Sequence, residues 1–262
     1  MSFNNKVVLV TGASSGIGAA IALKFAEAGA NVAIVGRNKD KLKNVSEKIA
    51  KVGNKPLVII ADVTKENEPQ RIVNETVKQF GKLDVLVNNA GVVGIVDITE
   101  EKAMKVFDNI LSTNLRSVVY LTHLASKHLI ETKGNIINIS SILGQSLNPF
   151  APDFAYCTSK AGLDHFSRAI ALDFAPKGVR VNTISPGPVK TDIIDNAVAA
   201  QDGYSNLDSE AVWNKWLEAT PLKRISDPVE IAELALFLAS DKAVGITGST
   251  FLTDNGYLLG GR

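Results

Sequence analysis

Short apolar runs rich in β-branched residues recur along the chain: Val7–Val10, Val32–Val35, Leu57–Ile60, Val85–Val87, Ile136–Ile139, Val179–Ile184 and Thr250–Leu252. Most are continuously apolar rather than alternating, which predicts strands covered on both faces, as in a parallel sheet. Between them the apolar period lengthens. After Gly16, residues Ile17, Ile21, Phe25 and Ala28 make one helical stripe, with Gly29 as its stop. Lys39–Val52, ended by Gly53, and Glu68–Phe80, ended by Gly81, predict two more helices. The alternation predicts an α/β chain with a single-domain Rossmann-like fold: a doubly wound parallel sheet of about seven strands with helices on both faces. No repeat, low-complexity tract or linker interrupts it, so residues 1–262 read as one domain. The rhythm breaks only at about 188–228, where Tyr204, Trp213 and Trp216 stand among polar residues. Such an insertion is expected to be a substrate-binding lid, with a pair of ordinary packing helices as the alternative.

Composition narrows the partners. The hydrophobic share of 45% and charged share of 21% suit a globular protein. A net charge of +1 gives no basic footprint, so no nucleic-acid partner is expected. The single Cys157 excludes an intrachain disulfide and a cysteine-based zinc site. His123, His128 and His165 show no ligand spacing, so no metal is expected. The N-terminus runs straight into the first strand-like run, and no apolar run reaches the ~20 residues that span a bilayer. The expectation is a cytoplasmic protein with no membrane partner.

The chemistry gathers at three places. TGASSGIG, residues 11–18, lies between a strand and a helix, where glycines let the backbone approach a pyrophosphate and free helix amides receive it. Gly12, Ser14, Ser15, Ile17 and Gly18 are therefore candidate cofactor contacts. The second strand ends in Gly36, Arg37 and Asn38, with no carboxylate for a ribose. Arg37 offers a guanidinium to a 2′-phosphate instead, with Ser14 as a second donor, which points to NADP(H). YCTSK at 156–160 puts Tyr156 and Lys160 four apart, on one helix face, where an ammonium favours the phenolate. Upstream, NIINIS ends in Ser140 and Ser141 at the end of a strand, where such sheets bind ligands.

Taken together, TGASSGIG, Asp62-Val63, NNAG at 88–91, Asn114, the NISS serine, YCTSK and PGPVKT at 186–191 occur in an order that resembles the short-chain dehydrogenase/reductase family, from Lys6 to about Gly256. The resemblance implies a catalytic set of Asn114, Ser141, Tyr156 and Lys160. Tyr156 would protonate a carbonyl oxygen that Ser141 also binds. Lys160 would hold the nicotinamide ribose and lower the tyrosine pKa, and Asn114 would hold a relay water. It places Asp62 and Val63 at the adenine, Asn88, Ala90 and Gly91 on the adjoining strand, and Pro186, Gly187, Val189 and Thr191 at the nicotinamide. It also implies a homotetramer or homodimer.

The expected function is NADPH-dependent reduction of a carbonyl to an alcohol. Alcohol oxidation and a catalytically idle redox sensor are the alternatives. Phe150, Phe154, Tyr204, Trp213 and Trp216 suggest an apolar small-molecule substrate: a steroid, an isoprenoid or lipid carbonyl, or a 3-oxoacyl group.

Three departures from the family pattern stand out. Fifteen positions separate Ser141 from Tyr156, which implies an insertion at Asn148–Asp153 near the substrate and makes Ser140 a rival to Ser141. Asp254-Asn255-Gly256 replaces Asp-Gly-Gly, a turn that Asn tolerates. Cys157 reads as a small buried residue, with a redox-sensitive thiol as the alternative.

Overall fold

A computed structural model describes residues 1–193 and 209–260. Seven strands, β1 (Val7–Thr11), β2 (Asn31–Gly36), β3 (Leu57–Ile60), β4 (Val85–Asn88), β5 (Asn135–Ile139), β6 (Arg180–Pro186) and β7 (Thr250–Thr253), form one sheet. Their order is β3-β2-β1-β4-β5-β6-β7, and every pairing is parallel. β1 pairs with β2 from Val7–Asn31 to Thr11–Val35, and with β4 from Val8–Val85 to Val10–Val87. The chain winds outward from β1 to β3, then returns to β4 on the other side of β1. The carboxyl ends of β1 and β4 therefore flank the switch point, where a crevice opens.

The helices are α1 (Gly16–Glu27), α2 (Lys39–Ile49), α3 (Glu68–Phe80), α4 (Ala103–Leu111), α5 (Ser117–Thr132), α6 (Phe154–Phe174), α7 (Ser209–Ala219), α8 (Pro228–Ala239) and the short α9 (Tyr257–Gly260). Alternate strand residues feed two cores. Val8, Val10, Ile34, Val87 and Ile137 pack with Ile21 and Phe25 of α1, Leu42 of α2 and Ile231 and Ala235 of α8. Val7, Leu9, Val35, Leu86 and Ile136 pack on the other face with Ile72 of α3, Leu121 and Ala125 of α5 and Phe174 of α6. Burial on both faces is why the inner strands read as nearly unbroken apolar runs, while Val58 and Ile60 of the edge strand β3 are exposed.

Boundaries moved by a few residues. α2 stops at Ile49, and Ala50–Gly53 form a turn in which the amides of Val52 and Gly53 both donate to the Ile49 carbonyl. Asn255 takes the left-handed conformation at φ +53°, so the Asp-Asn-Gly turn forms without the usual glycine. Of the predicted lid, residues 194–208, Tyr204 included, lie outside the described residues. The rest holds α7 and a short bridge in which the amide of Lys190 donates to the Ser226 carbonyl and that of Ser226 to the Pro188 carbonyl. α8 starts at Pro228 behind a capping box of Asp227 and Glu230. Among the described residues no helix is long and apolar enough to cross a membrane.

Candidate active site

From Thr11 the chain turns through the glycine loop. Gly12 stands at φ +64°, and a Cβ there would lie 2.8 Å from Cα of Ala90. The loop is thus pressed against the turn that follows β4. Asn89 stitches the two, its Nδ2 donating to the carbonyls of Thr11 (2.9 Å) and Gly12 (3.1 Å). Thr11 Oγ1 accepts from the amides of Asn89 and Ala90. Ser15, the residue before α1, does not cap the helix with its side chain; its hydroxyl donates to Asp192 Oδ1 at 2.8 Å. With no acidic residue in its first turn either, α1 keeps amides and a partial positive charge for an anion.

A cleft of about 260 Å³ runs along this edge of the sheet. Of the residues expected at a dinucleotide, it is lined by Gly12, Ser14, Ser15, Ile17, Arg37, Asp62, Val63, Ala90, Gly91, Pro186, Gly187, Val189 and Thr191, and by Ser141, Tyr156 and Lys160. Three others stand elsewhere. Gly18 is a packing glycine, because a Cβ on it would lie 2.4 Å from the Gly12 carbonyl oxygen. Asn38 caps α2, accepting from the Lys41 amide at 2.9 Å. Asn88 is buried in the sheet and donates to Asn138 Oδ1 at 2.8 Å. At the end of the cleft beside β2, a side chain on Gly36 would press on Ser14 Cβ at 3.2 Å, and exposed Arg37 lines the cleft. Burial raises the Asp62 pKa, but two hydrogen bonds from Thr64 and the charge of Arg37 bring it below its ordinary value. Asp192, which the sequence did not mark, spans the cleft mouth by pairing with both Ser15 and Lys41.

Tyr156 and Lys160 lie on α6, and Ser141 sits at the end of β5, where its Oγ accepts from the Leu143 amide. Burial pushes the Tyr156 phenol up to about 12, against a hydrogen bond with Ser141 that pulls it down. This reverses the expectation of a tyrosine lowered by its lysine: Lys160 Nζ is 5.6 Å from the ring centroid and donates to the Ile139 carbonyl at 2.9 Å. Lys160 is itself buried, which pulls it down to about 8, with Asp164 opposing. Ser140 also borders the cleft, but its hydroxyl donates to the Lys160 carbonyl at 3.3 Å.

Asn114 does not border the cleft. It sits in a π-helical turn, Ser112–Arg116, between α4 and α5. Its Oδ1 accepts from the Val92 amide (2.8 Å), and its Nδ2 donates to the Val92 carbonyl (2.9 Å) and Ser159 Oγ (3.1 Å). The side chain therefore ties the turn after β4 to α6. A Cβ on Gly91 would lie 3.5 Å from Asn114 Oδ1 and 3.7 Å from Lys160 Nζ, so both converge there.

A second cleft of about 150 Å³ meets the first at Ser141, Tyr156, Gly187, Val189 and Ile193. Its walls include Val93, Ile95, Leu143, Phe150, Val212, Trp213 and Trp216. Phe150 meets Trp216 edge to face at 5.4 Å. Phe154 faces away and stacks on Phe107 at 6.1 Å. Asp153, within the predicted insertion, also lines this cleft. Cys157 is buried, donates to Asp153 Oδ1, and is pushed up to about 12, chiefly by burial. That is the small buried residue rather than the reactive thiol. Among the described residues no group of three or more His, Cys, Asp or Glu side chains could hold a metal ion.

Comparison with known proteins bears on this geometry. A family model described as enoyl-(acyl carrier protein) reductase matches residues 12–258. Glucose 1-dehydrogenase of Gluconobacter oxydans is 37% identical over 262 residues, covering 99% of this chain and 94% of that protein. The 3-oxoacyl-(acyl-carrier-protein) reductase of Staphylococcus epidermidis is 37% identical, covering 97% of this chain and all (100%) of its own. A short-chain dehydrogenase/reductase from Caenorhabditis elegans, solved with cofactor, superposes with a TM-score of 0.86 at 36% identity, over 98% of this chain and 96% of that one. The crevice at the switch point, the bare α1 terminus and the two clefts joined at Ser141 and Tyr156 fit a nicotinamide dinucleotide beside a small substrate, and this chain belongs to the short-chain dehydrogenase/reductase family.

Proposed function

We propose that the protein reduces a small, largely apolar ketone or aldehyde to its alcohol with NADPH. The observation that carries this reading is the position of Ser141 and Tyr156 at the junction of the two clefts. When bound, the cofactor supplies the hydride. The chain supplies the proton and the binding. Tyr156, held protonated by its burial, donates its hydroxyl proton to the carbonyl oxygen, where negative charge develops. Ser141 donates a second hydrogen bond to that oxygen and orients it. Lys160, with Gly91 beside it, holds the ribose end of the cofactor cleft. Arg37 and Ser14 receive the 2′-phosphate, and no carboxylate at the end of β2 repels it.

The test is NADPH and NADH oxidation against a panel of carbonyls, with Tyr156→Phe as control. NADPH turnover should exceed NADH turnover on at least one apolar carbonyl. Tyr156→Phe should abolish that turnover while NADPH still binds by fluorescence titration. A fully active Tyr156→Phe enzyme, or no turnover across the panel, overturns the reading.

A further inference from the structure

Asp153 holds the position before α6 where an aspartate ordinarily accepts a helix amide, yet it makes no such bond. Its carboxylate bonds side chains instead. Oδ1 accepts from Cys157 Sγ at 3.1 Å and Oδ2 from Asn148 Nδ2 at 2.9 Å. Both donors are neutral, and a carboxylate has about four acceptor sites, so capacity remains. The residue is 7% exposed, lines the substrate cleft, and makes no ion pair among the described residues. The one basic side chain among the cleft's described lining residues is Lys215, an exposed residue of α7 that makes no bond to Asp153. Phe150, Trp213 and Trp216 line the same cleft, and aromatic ring faces also attract cations.

Burial raises the Asp153 carboxyl pKa against the bonds from Asn148 and Cys157. As an anion without a counter-charge it is costly, and a neutral apolar substrate would shut it further from water. An anionic substrate would be repelled. A polyol would offer hydrogen bonds but no charge. We infer that the substrate carries a protonated amine as well as its carbonyl, with the ammonium held by Asp153 against the Phe150–Trp216 wall. Asp153 precedes Tyr156 by three positions, so the two functions sit on one short carbon spacer. This inference rests on the reductase reading and narrows its substrate class: an apolar body with one cationic nitrogen.

The test compares β-dimethylaminopropiophenone with phenyl isopentyl ketone, its uncharged isostere, as substrates with NADPH. The holoenzyme should favour the amine by at least about tenfold in kcat/KM, and Asp153→Asn should bring the ratio to about one. In a second measurement that needs no variant, dimethylbenzylamine should inhibit turnover competitively at a Ki at least about tenfold below that of isobutylbenzene. A preference at or below one, a ratio unchanged in Asp153→Asn, or equal inhibition overturns the inference. If other carbonyls are reduced while these outcomes occur, the reductase reading stands without it. If no carbonyl is reduced, both fall.

Discussion

Lys160 makes a prediction in which stability and activity part company. An exposed lysine titrates near 10.5; in the cofactor-free fold burial brings Lys160 to about 8, although Asp164 works against that. At about 1.4 kcal/mol for each tenfold change, keeping this ammonium buried costs the native state roughly 3 kcal/mol at neutral pH. Replacing it with methionine, a side chain of similar length, removes that cost. The same change loses the charge-assisted Nζ–Ile139 hydrogen bond, which returns about 1.5–2 kcal/mol. Lys160→Met should therefore be more stable by about 1–1.5 kcal/mol, or about 2–4 °C in Tm for a chain of this size.

The pH dependence has a definite sign. Below about pH 8 both folded and unfolded wild type carry the charge, and the full penalty is present. Between about 8 and 10.5 only the unfolded chain keeps the proton, so wild-type stability rises with pH. The advantage of Lys160→Met should be greatest at neutrality and vanish by about pH 10.5. Scanning fluorimetry of the cofactor-free proteins across this range measures it, and kcat in the same preparations should collapse. A lower Tm for the variant at neutral pH, or an advantage that persists at high pH, would refute the reasoning.

Arg37→Ala should weaken NADPH binding about ten- to hundredfold, since a hydrogen bond to a charged group is worth about 1.5–3 kcal/mol, and leave NADH binding nearly unchanged; equal losses by isothermal titration would point away from the 2′-phosphate. Asn114→Ala strands the part-buried amide and carbonyl of Val92, at about 1 kcal/mol each, the low end for a stranded group, so Tm should fall by roughly 4–8 °C. An unchanged Tm would mean that water replaces the clamp at no cost. Cys157, pushed up to about 12, should resist iodoacetamide in the native enzyme at pH 8 and react once urea unfolds it. Rapid native labelling by mass spectrometry would contradict that.

The five inner strands were legible because both faces are buried, so no polar alternation blurred them. The glycine loop, Ser141, Tyr156 and Lys160 were legible because their spacing along the chain is local. What depends on distant partners was not. Asp192 is 177 positions from Ser15 and 151 from Lys41, and no nearby residue signals either bond. Asn114 lies in STNLRS, a stretch without glycine or proline, so nothing marked the π-helical turn that swings its amide onto Val92. Gly18 looked like a phosphate glycine, but the atom it makes room for is a carbonyl of its own loop. For Tyr156 the neighbouring lysine was visible in the spacing, whereas the burial that raises the phenol is a property of the packed fold.

The pairing of α1 with α8 bears on how the chain is made. Ile21 and Phe25 share a core with Ile231 and Ala235, although Gly16–Glu27 leaves the ribosome long before Pro228–Ala239. A nascent chain can complete β1, α1 and β2 and still carry an uncovered apolar stripe on the helix that follows the glycine loop. Contacts of such sequence separation close late and leave greasy surface exposed meanwhile. Premature termination anywhere before Pro228 would therefore yield an aggregation-prone fragment rather than a smaller cofactor-binding protein.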